Sequence, residues 1–249
     1  MVHLWRDKLR RFFGRVPGTP ASAAEERKTG DGLDDCNPRT NGEYFLLEEM
    51  ARDWSLVLDV GANQGDYAAE VQKVNPACRV VCFEPNRDLL PALQGRRIAE
   101  IHTTAVGDTG DNITIHINTA DPSQSSLFRR SSDTVERRVP CVMLDDFCVS
   151  RGVERIDMVK IDTEGNETAV LRGMRHLIER SVADMIQFEY GGTYRDAGTS
   201  LKEAFDLLSE QYIVCRLCPQ GLVPCAYGAV QEHYRYSNWV AVSRRLHGR

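Results

Sequence analysis

Short apolar runs recur along the chain, most of them followed by a stretch with helical spacing. Residues 57–60 read as a buried strand, and residues 66–71 as the helix that follows a glycine-bearing turn. Residues 79–84 repeat the unit: an apolar strand that ends in Glu84, with Pro85 stopping further pairing. Residues 99–106 predict a third strand, and residues 112–117 alternate polar and apolar as a half-exposed strand does. Residues 139–144 read as an edge strand leading into a helical turn capped by Asp145 or Asp146, and residues 156–161 as a buried parallel strand. A helix over 169–178, a strand over 183–190 and a helix over 201–208 come next. The chain closes with a hairpin around Pro219-Gln-Gly221 and a last strand over 237–242. Strands alternating with helices, then an antiparallel pair, predict an α/β fold. Its sheet is mostly parallel and doubly wound, with an antiparallel C-terminal edge.

Ahead of the first strand, an apolar face from Phe45, Leu46, Leu47, Met50 and Ala51 predicts a helix with Asn41 as its N-cap. That helix packs near the end of the first strand, which brings Glu43 within reach of a cofactor or substrate. Residues 1–40 break the pattern. Residues 1–16 set Leu4, Trp5, Leu9, Phe12 and Phe13 among five basic residues. This suits weak contact with an anionic membrane surface or a partner, or a loosely docked leader, and residues 18–38 read as linker. The expected organisation is a basic segment and linker over 1–40 and one domain over 41–249.

Composition narrows the classes. A chain of 249 residues, 42% hydrophobic, holds one sizeable core. A net charge of −5 argues against a nucleic-acid surface. The sequence shows no apolar run of membrane-spanning length and no secretory leader. Eight cysteines, several within apolar segments, read as reduced core residues of a cytoplasmic protein. Cys215, Cys218 and Cys225 offer three thiols without a histidine at ligand spacing, so a cysteine-bearing hairpin accounts for them better than zinc.

The candidate chemistry lies at the strand ends. Asp59-Val-Gly61-Ala62-Asn63-Gln-Gly65 places its glycines four apart, wider than the G-x-G-x-x-G of dinucleotide folds, with an acid two residues before the first. Such a turn ends the strand sharply and opens the helix of Tyr67 with free backbone N–H groups. Glu84 stands where a βαβ unit places the acid that accepts hydrogen bonds from ribose hydroxyls. Ala105 and Val106 lie where an adenine ring packs against a strand end. The Asp162-Thr-Glu164-Gly turn and Glu189 put carboxylates at the carboxyl edge of adjoining strands, where open α/β sheets bind ligands. The long polar stretch 118–138, with Ser125, Ser126, Arg129 and Arg130, suits a binding loop for a phosphate- or carboxylate-bearing substrate.

With the Asp59 to Gly65 turn, Phe83-Glu84-Pro85, Ala105-Val-Gly-Asp108, Leu144-Asp145-Asp146, Val159-Lys-Ile-Asp-Thr-Glu-Gly165, Glu167 and Leu171-x-Gly173 in this order, the chain resembles the FkbM-type methyltransferases from about residue 41 to 242. The resemblance implies a Rossmann-like class I methyltransferase fold and S-adenosylmethionine as methyl donor. It also implies O-methylation of a hydroxyl on a sugar, glycan or other secondary metabolite. The expected cofactor contacts are Asp59, Gly61, Ala62, Asn63, Gly65, Tyr67, Glu84, Pro85, Asn86, Ala105, Val106 and Asp162. Glu43, Ser125, Ser126, Arg129 and Arg130 are expected to face the substrate.

A hydroxyl acceptor needs a base, for which Asp162, Glu164 and Glu189 are placed and His233 is an alternative. Two of these carboxylates holding a divalent cation such as Mg would instead lower the acceptor's pKa. Lys160, inside an apolar strand, needs a carboxylate partner. Two other classes compete: a nicotinamide-dependent oxidoreductase or epimerase, and a non-catalytic binding module on the same fold.

Overall fold

The sheet grows outward from its first strand. In the computed structural model, which describes residues 33–96, 98, 100–121, 125–129 and 133–247, helix α1 (Glu43–Met50) leads into β1 (Leu56–Val60). Then follow α2 (Asp66–Val74), β2 (Arg79–Phe83), α3 (Leu90–Gly95), β3 (Glu100–His102) and β4 (Ala105–Val106). A hairpin of β5 (Ile113–Asn118) and β6 (Thr134–Val139) precedes β7 (Cys141–Val142) and α4 (Leu144–Ser150). The second parallel half is β8 (Ile156–Ile161), α5 (Glu167–Arg172), α6 (Arg175–Glu179), β9 (Ala183–Tyr190), α7 (Thr193–Asp196) and α8 (Leu201–Leu208). The hairpin β10 (Tyr212–Cys218) and β11 (Gly221–Pro224), β12 (Ser237–Ser243) and α9 (Arg244–His247) complete the chain.

Among the described residues, eight strands form one sheet in the order β11-β10-β12-β9-β8-β1-β2-β3. β1 pairs in parallel with β2 and β8, and β8 with β9, while β12 runs antiparallel between β9 and β10. After β1 the chain winds one way through β2 and β3, then crosses to β8 and winds the other way. A crevice therefore opens at the carboxyl ends of β1 and β8, the switch point where such sheets bind ligands.

Both faces of the sheet are covered, which is why its central strands read as continuous apolar runs. Val57 and Met158 pack with Leu46, Leu47 and Trp54 on the α1 face, while Leu58, Val159 and Ile161 pack with Leu144, Val170 and Phe205 on the other.

Several boundaries differ from the sequence pattern. Asn41 does not cap α1. Gly42 does, at φ +105, with the Cys218 carbonyl where a Cβ would lie, and Asn41 Oδ1 accepts the Glu43 N–H at 3.0 Å instead. Neither Asp145 nor Asp146 caps α4; Met143 holds that place, and the Asp145 carboxylate accepts the His176 and Leu177 N–H groups at 3.0 Å each. The helix expected over 169–178 breaks at Gly173, where an added Cβ would meet the Gly107 carbonyl at 1.8 Å. The polar stretch expected to be one long loop folds back in part, residues 134–139 pairing with 113–118. Residues 33–40, read as linker, dock on the domain: the Asp34 N–H donates to the Tyr236 carbonyl, and Asp34 pairs with Arg235 at 2.7 Å.

Residues 1–32 and Arg130 lie outside the described residues. Among those described, no helix is long and apolar enough to cross a membrane, and no group of three or more His, Cys, Asp or Glu is placed to hold a metal ion. Cys215 and Cys218 lie buried on β10, and Cys225 follows β11.

Candidate active site

A cleft of about 730 Å³ runs along the switch point, from Asn63 and Glu84 at one end to Glu189, Tyr236, Cys36 and Pro38 at the other. Its first half is built by the turn after β1. Gly61 adopts φ +79, and a Cβ there would stand 1.7 Å from the Asp162 carbonyl, so the turn after β1 and the end of β8 approach as only glycine allows. Asn63, at φ +50, and Gly65, at φ +80, carry the chain into α2.

Glu84 ties this turn to the next. One of its oxygens accepts the Asn63 N–H at 2.9 Å and the other the Asn86 N–H at 2.7 Å. Burial pushes its carboxyl up to about 7, although both N–H groups pull the other way. Each oxygen retains lone-pair capacity for further donors, such as the two hydroxyls of a ribose. Asp59, fully buried beneath the turn, is pushed up to about 6 by burial.

The second half is organised around Asp162 and Glu189, at the ends of neighbouring strands. Lys160 reaches along β8 and donates to Asp162 Oδ2 at 2.7 Å, giving the cation inside the apolar strand the partner its burial requires. Its ammonium also sits 5.2 Å from the centre of the Tyr67 ring. Burial would raise the Asp162 carboxyl, but the Lys160 charge and hydrogen bond outweigh it and hold it below the usual range. Glu189 is driven well above that range, by burial and then by the charge of Asp162, to which it is hydrogen-bonded. Two carboxyls this close titrate as a pair, with the harder proton to remove on Glu189.

Beneath them Glu43 accepts side-chain amide N–H groups from Asn41 at 2.8 Å, Asn238 at 3.1 Å and Gln187 at 2.9 Å. Glu164 holds φ +56, a conformation that costs a non-glycine residue energy and concentrates at functional sites. Glu167 braces that turn: its carboxylate accepts the Thr163 N–H and hydroxyl at 2.8 and 3.0 Å and the Gly165 N–H at 3.1 Å. Burial pushes this carboxyl up to about 7. Ser126 pins the turn from outside, donating its hydroxyl to the Glu164 carbonyl at 2.7 Å.

Of the residues read from sequence, Asp59, Gly61, Ala62, Asn63, Tyr67, Glu84, Pro85, Ala105, Val106, Asp162, Glu164, Glu189, Glu43, Ser125 and Ser126 all line the cleft. Gly65 and Asn86 stand behind it; Asn86 donates to Ser125 Oγ at 3.1 Å and so ties the Glu84 loop to the 125–128 segment. His233 lies away from the lining, packed on Tyr190, its Nδ1 accepting the Arg235 N–H at 3.0 Å. Burial and then Arg235 lower its pKa. Arg129 borders a separate surface depression with Leu127, Phe128 and Asp196. The sequence reading overlooked Thr104, Asn166, Thr193, Tyr236, Cys36 and Pro38, which also line the cleft. Only the Gly191-Gly192 pair beside Glu189 signalled that a loop there belonged to the site.

Fold and site together are those of a class I, S-adenosylmethionine-dependent methyltransferase. Residues 59–213 match the Methyltransferase FkbM domain, and the chain belongs to that family. Among curated proteins, 2-O-methyltransferase NoeI of Sinorhizobium fredii (strain NBRC 101917 / NGR234) is 25% identical over 190 residues, spanning 67% of this chain and 76% of that protein. Among solved structures, the plantazolicin methyltransferase BpumL in complex with a pentazolic desmethylPZN analog and SAH is 12% identical with a TM-score of 0.47, covering 98% of this chain and 97% of that one. The precorrin-6y C5,15-methyltransferase of Geobacter metallireducens GS-15 is 13% identical with a TM-score of 0.43, covering 81% and 87%.

The residues present fit the methyl donor. Asp59 Oδ1, the Tyr67 hydroxyl and Thr104 Oγ1 are buried, line the cleft and lack a hydrogen-bond partner, a state that buried polar atoms seldom keep without a ligand or water.

Proposed function

We propose that the protein methylates a hydroxyl oxygen of a small polyhydroxylated acceptor, a sugar, glycan or other secondary metabolite. The donor supplies a methyl on a sulfonium; transfer breaks its C–S bond, forms a C–O bond, leaves a neutral thioether and releases the hydroxyl proton. Glu84 and the Gly61 turn hold the donor's nucleoside and amino-acid ends, and Asp162 lies where the halves of the cleft meet. The observation that carries the oxygen acceptor is the Lys160–Asp162–Glu189 array. A hydroxyl is a poor nucleophile until its proton leaves, and a base there is worth roughly 10² to 10⁴ in rate.

Lys160 keeps Asp162 anionic, while Glu189 holds its proton to unusually high pH. Asp162 is therefore the carboxylate of the pair able to take the hydroxyl proton, with Glu189 held neutral beside it. The name of NoeI, an O-methyltransferase, supports the same reading. Alignment of acceptor oxygen and methyl carries most of the remaining barrier, about 7–11 kcal/mol in well-oriented systems.

The test is a transfer assay with methyl-labelled S-adenosylmethionine and matched hydroxyl, amine and thiol acceptors, the product bond assigned by NMR. Label in methoxy carbons is the expected result. Label confined to nitrogen, sulfur or carbon would overturn the reading.

A further inference from the structure

Tyr236 stands just ahead of β12, lines the acceptor half of the cleft and sits in no motif. Its backbone is held from two sides. The Tyr236 carbonyl accepts the Asp34 N–H at 2.9 Å, and its Cα lies against Gly191, 3.6 Å from where a Cβ would stand. β12 pairs with β9 so that Asn238 lies opposite Glu189, and residues directly opposite or two apart share a face of the sheet. Tyr236, two residues ahead of Asn238, comes up on the face that carries Glu189.

The direction of the hydrogen bonds below the phenol is fixed from a backbone N–H upwards. The Glu43 N–H donates to Asn41 Oδ1 at 3.0 Å, so the amide nitrogen of Asn41 is the atom that faces Glu43 Oε1, at 2.8 Å. The same Oε1 also accepts from Asn238 Nδ2 at 3.1 Å. The second hydrogen of that nitrogen goes to the Tyr236 oxygen, again at 3.1 Å. The phenol oxygen is therefore an acceptor in this bond, and its own O–H remains to be donated. Among the described residues Asn238 is the partner of that oxygen. Burial, above all, pushes the phenol's pKa up, so the proton stays on it.

Resting on the hydroxyl-methylation reading above, we propose that Tyr236 is an acceptor-binding residue whose O–H donates to an oxygen of the bound sugar, with Asn238 the positioning residue that aims it. Glu43 acts on the acceptor at one remove, by setting which way Asn238 faces. A sugar carries oxygens on most of its carbons. A donor with one fixed direction selects how the ring is turned, and so which hydroxyl is presented to Asp162.

The probes are the methyl glycosides of glucose, galactose, mannose and fucose. Their binding to the protein loaded with S-adenosylhomocysteine is titrated by saturation-transfer NMR, and methyl transfer is read by product mass. Tyr236→Phe deletes the hydroxyl and keeps the ring. It should weaken each glycoside that the wild type binds by about three- to tenfold, with S-adenosylhomocysteine affinity by calorimetry unchanged. Asn238→Leu should weaken the same glycosides alone and add little in the Tyr236→Phe background, because nothing is then left to aim. A loss that adds in full there would overturn the positioning role. Tyr236→Phe carries the test by itself should Asn238→Leu fail to fold. Unchanged glycoside affinity in Tyr236→Phe, an equal loss of S-adenosylhomocysteine affinity, or no glycoside bound by the wild type would each overturn the inference. Weakened binding in Tyr236→Phe, with no methyl reaching any hydroxyl in the wild type, would leave Tyr236 a sugar-binding residue and sink the oxygen-methylation reading instead.

Discussion

The two halves of the cleft are made differently. The donor half comes from two consecutive strand-turn units: the turn at 61–65 and Glu84 lie within 25 residues and are joined by the Asn63 N–H bond to Glu84. The acceptor half is assembled from four distant segments, contributing Cys36, Asp162, Glu189 and Tyr236. On the proposed reading a local unit receives the nucleoside, and long-range packing builds what it meets.

Breaking both halves at once should have the largest effect. Gly61→Ala forces a Cβ into the Asp162 carbonyl, where β1 and β8 meet, at a φ that disfavours any side chain. Chemical denaturation should report a loss of about 3 kcal/mol or more. Unchanged stability would mean that the two halves are not joined there. Asp162→Asn separates them: kcat should fall by roughly 10² or more while calorimetry finds S-adenosylmethionine affinity changed far less. Glu84→Ala is the reciprocal change. It should weaken donor binding by about 10- to 100-fold, through two lost hydrogen bonds, with kcat at saturation largely kept.

pH sharpens the contrast. Glu84 and Glu167, pushed up to about 7, and Asp59, up to about 6, titrate higher in the folded chain than in the unfolded one. The folded state therefore holds more protons between the ordinary carboxylate range and neutrality. Their contribution to stability is complete at acid pH and is lost as pH rises through about 7. Denaturation of the ligand-free protein should show lower stability at pH 8 than at pH 5.5, and Glu84→Gln should flatten the slope. Donor affinity should run the other way, because a protonated Glu84 accepts fewer hydroxyl bonds; it should fall as pH drops through 7. The smallest effect is expected from Ser126→Ala, which removes two hydrogen bonds, to the Glu164 carbonyl and from the Phe128 N–H, of about 1 kcal/mol each, and should raise acceptor KM a few-fold with kcat little changed.

Much of the donor half was legible in the sequence because strand, turn and acid are neighbours along the chain. Gly61 and Glu84 announce their places in the cleft by spacing alone. In the acceptor half, the strand-end acids Asp162, Glu164 and Glu189 were equally legible. Tyr236 and Cys36 were not, since neither sits in a motif and both reach the cleft through antiparallel pairing and the docking of residues 33–40. Helix starts were misread where tertiary contact outranked capping preference: Gly42 is set by the close approach of Cys218, and Asp145 serves α6 rather than its own helix. His233 and Arg129 were chosen for their chemistry, and packing on Tyr190 and the position of the 125–129 segment take them elsewhere.

Glu167 bears on how such a protein diversifies. By accepting hydrogen bonds from Thr163 and Gly165, four and two residues away, it gives the carboxylate-bearing rim its own internal scaffold. Surrounding segments can then be lengthened or recoloured by mutation for new acceptors without disturbing the reactive groups, so novelty and reactivity need not be traded against each other.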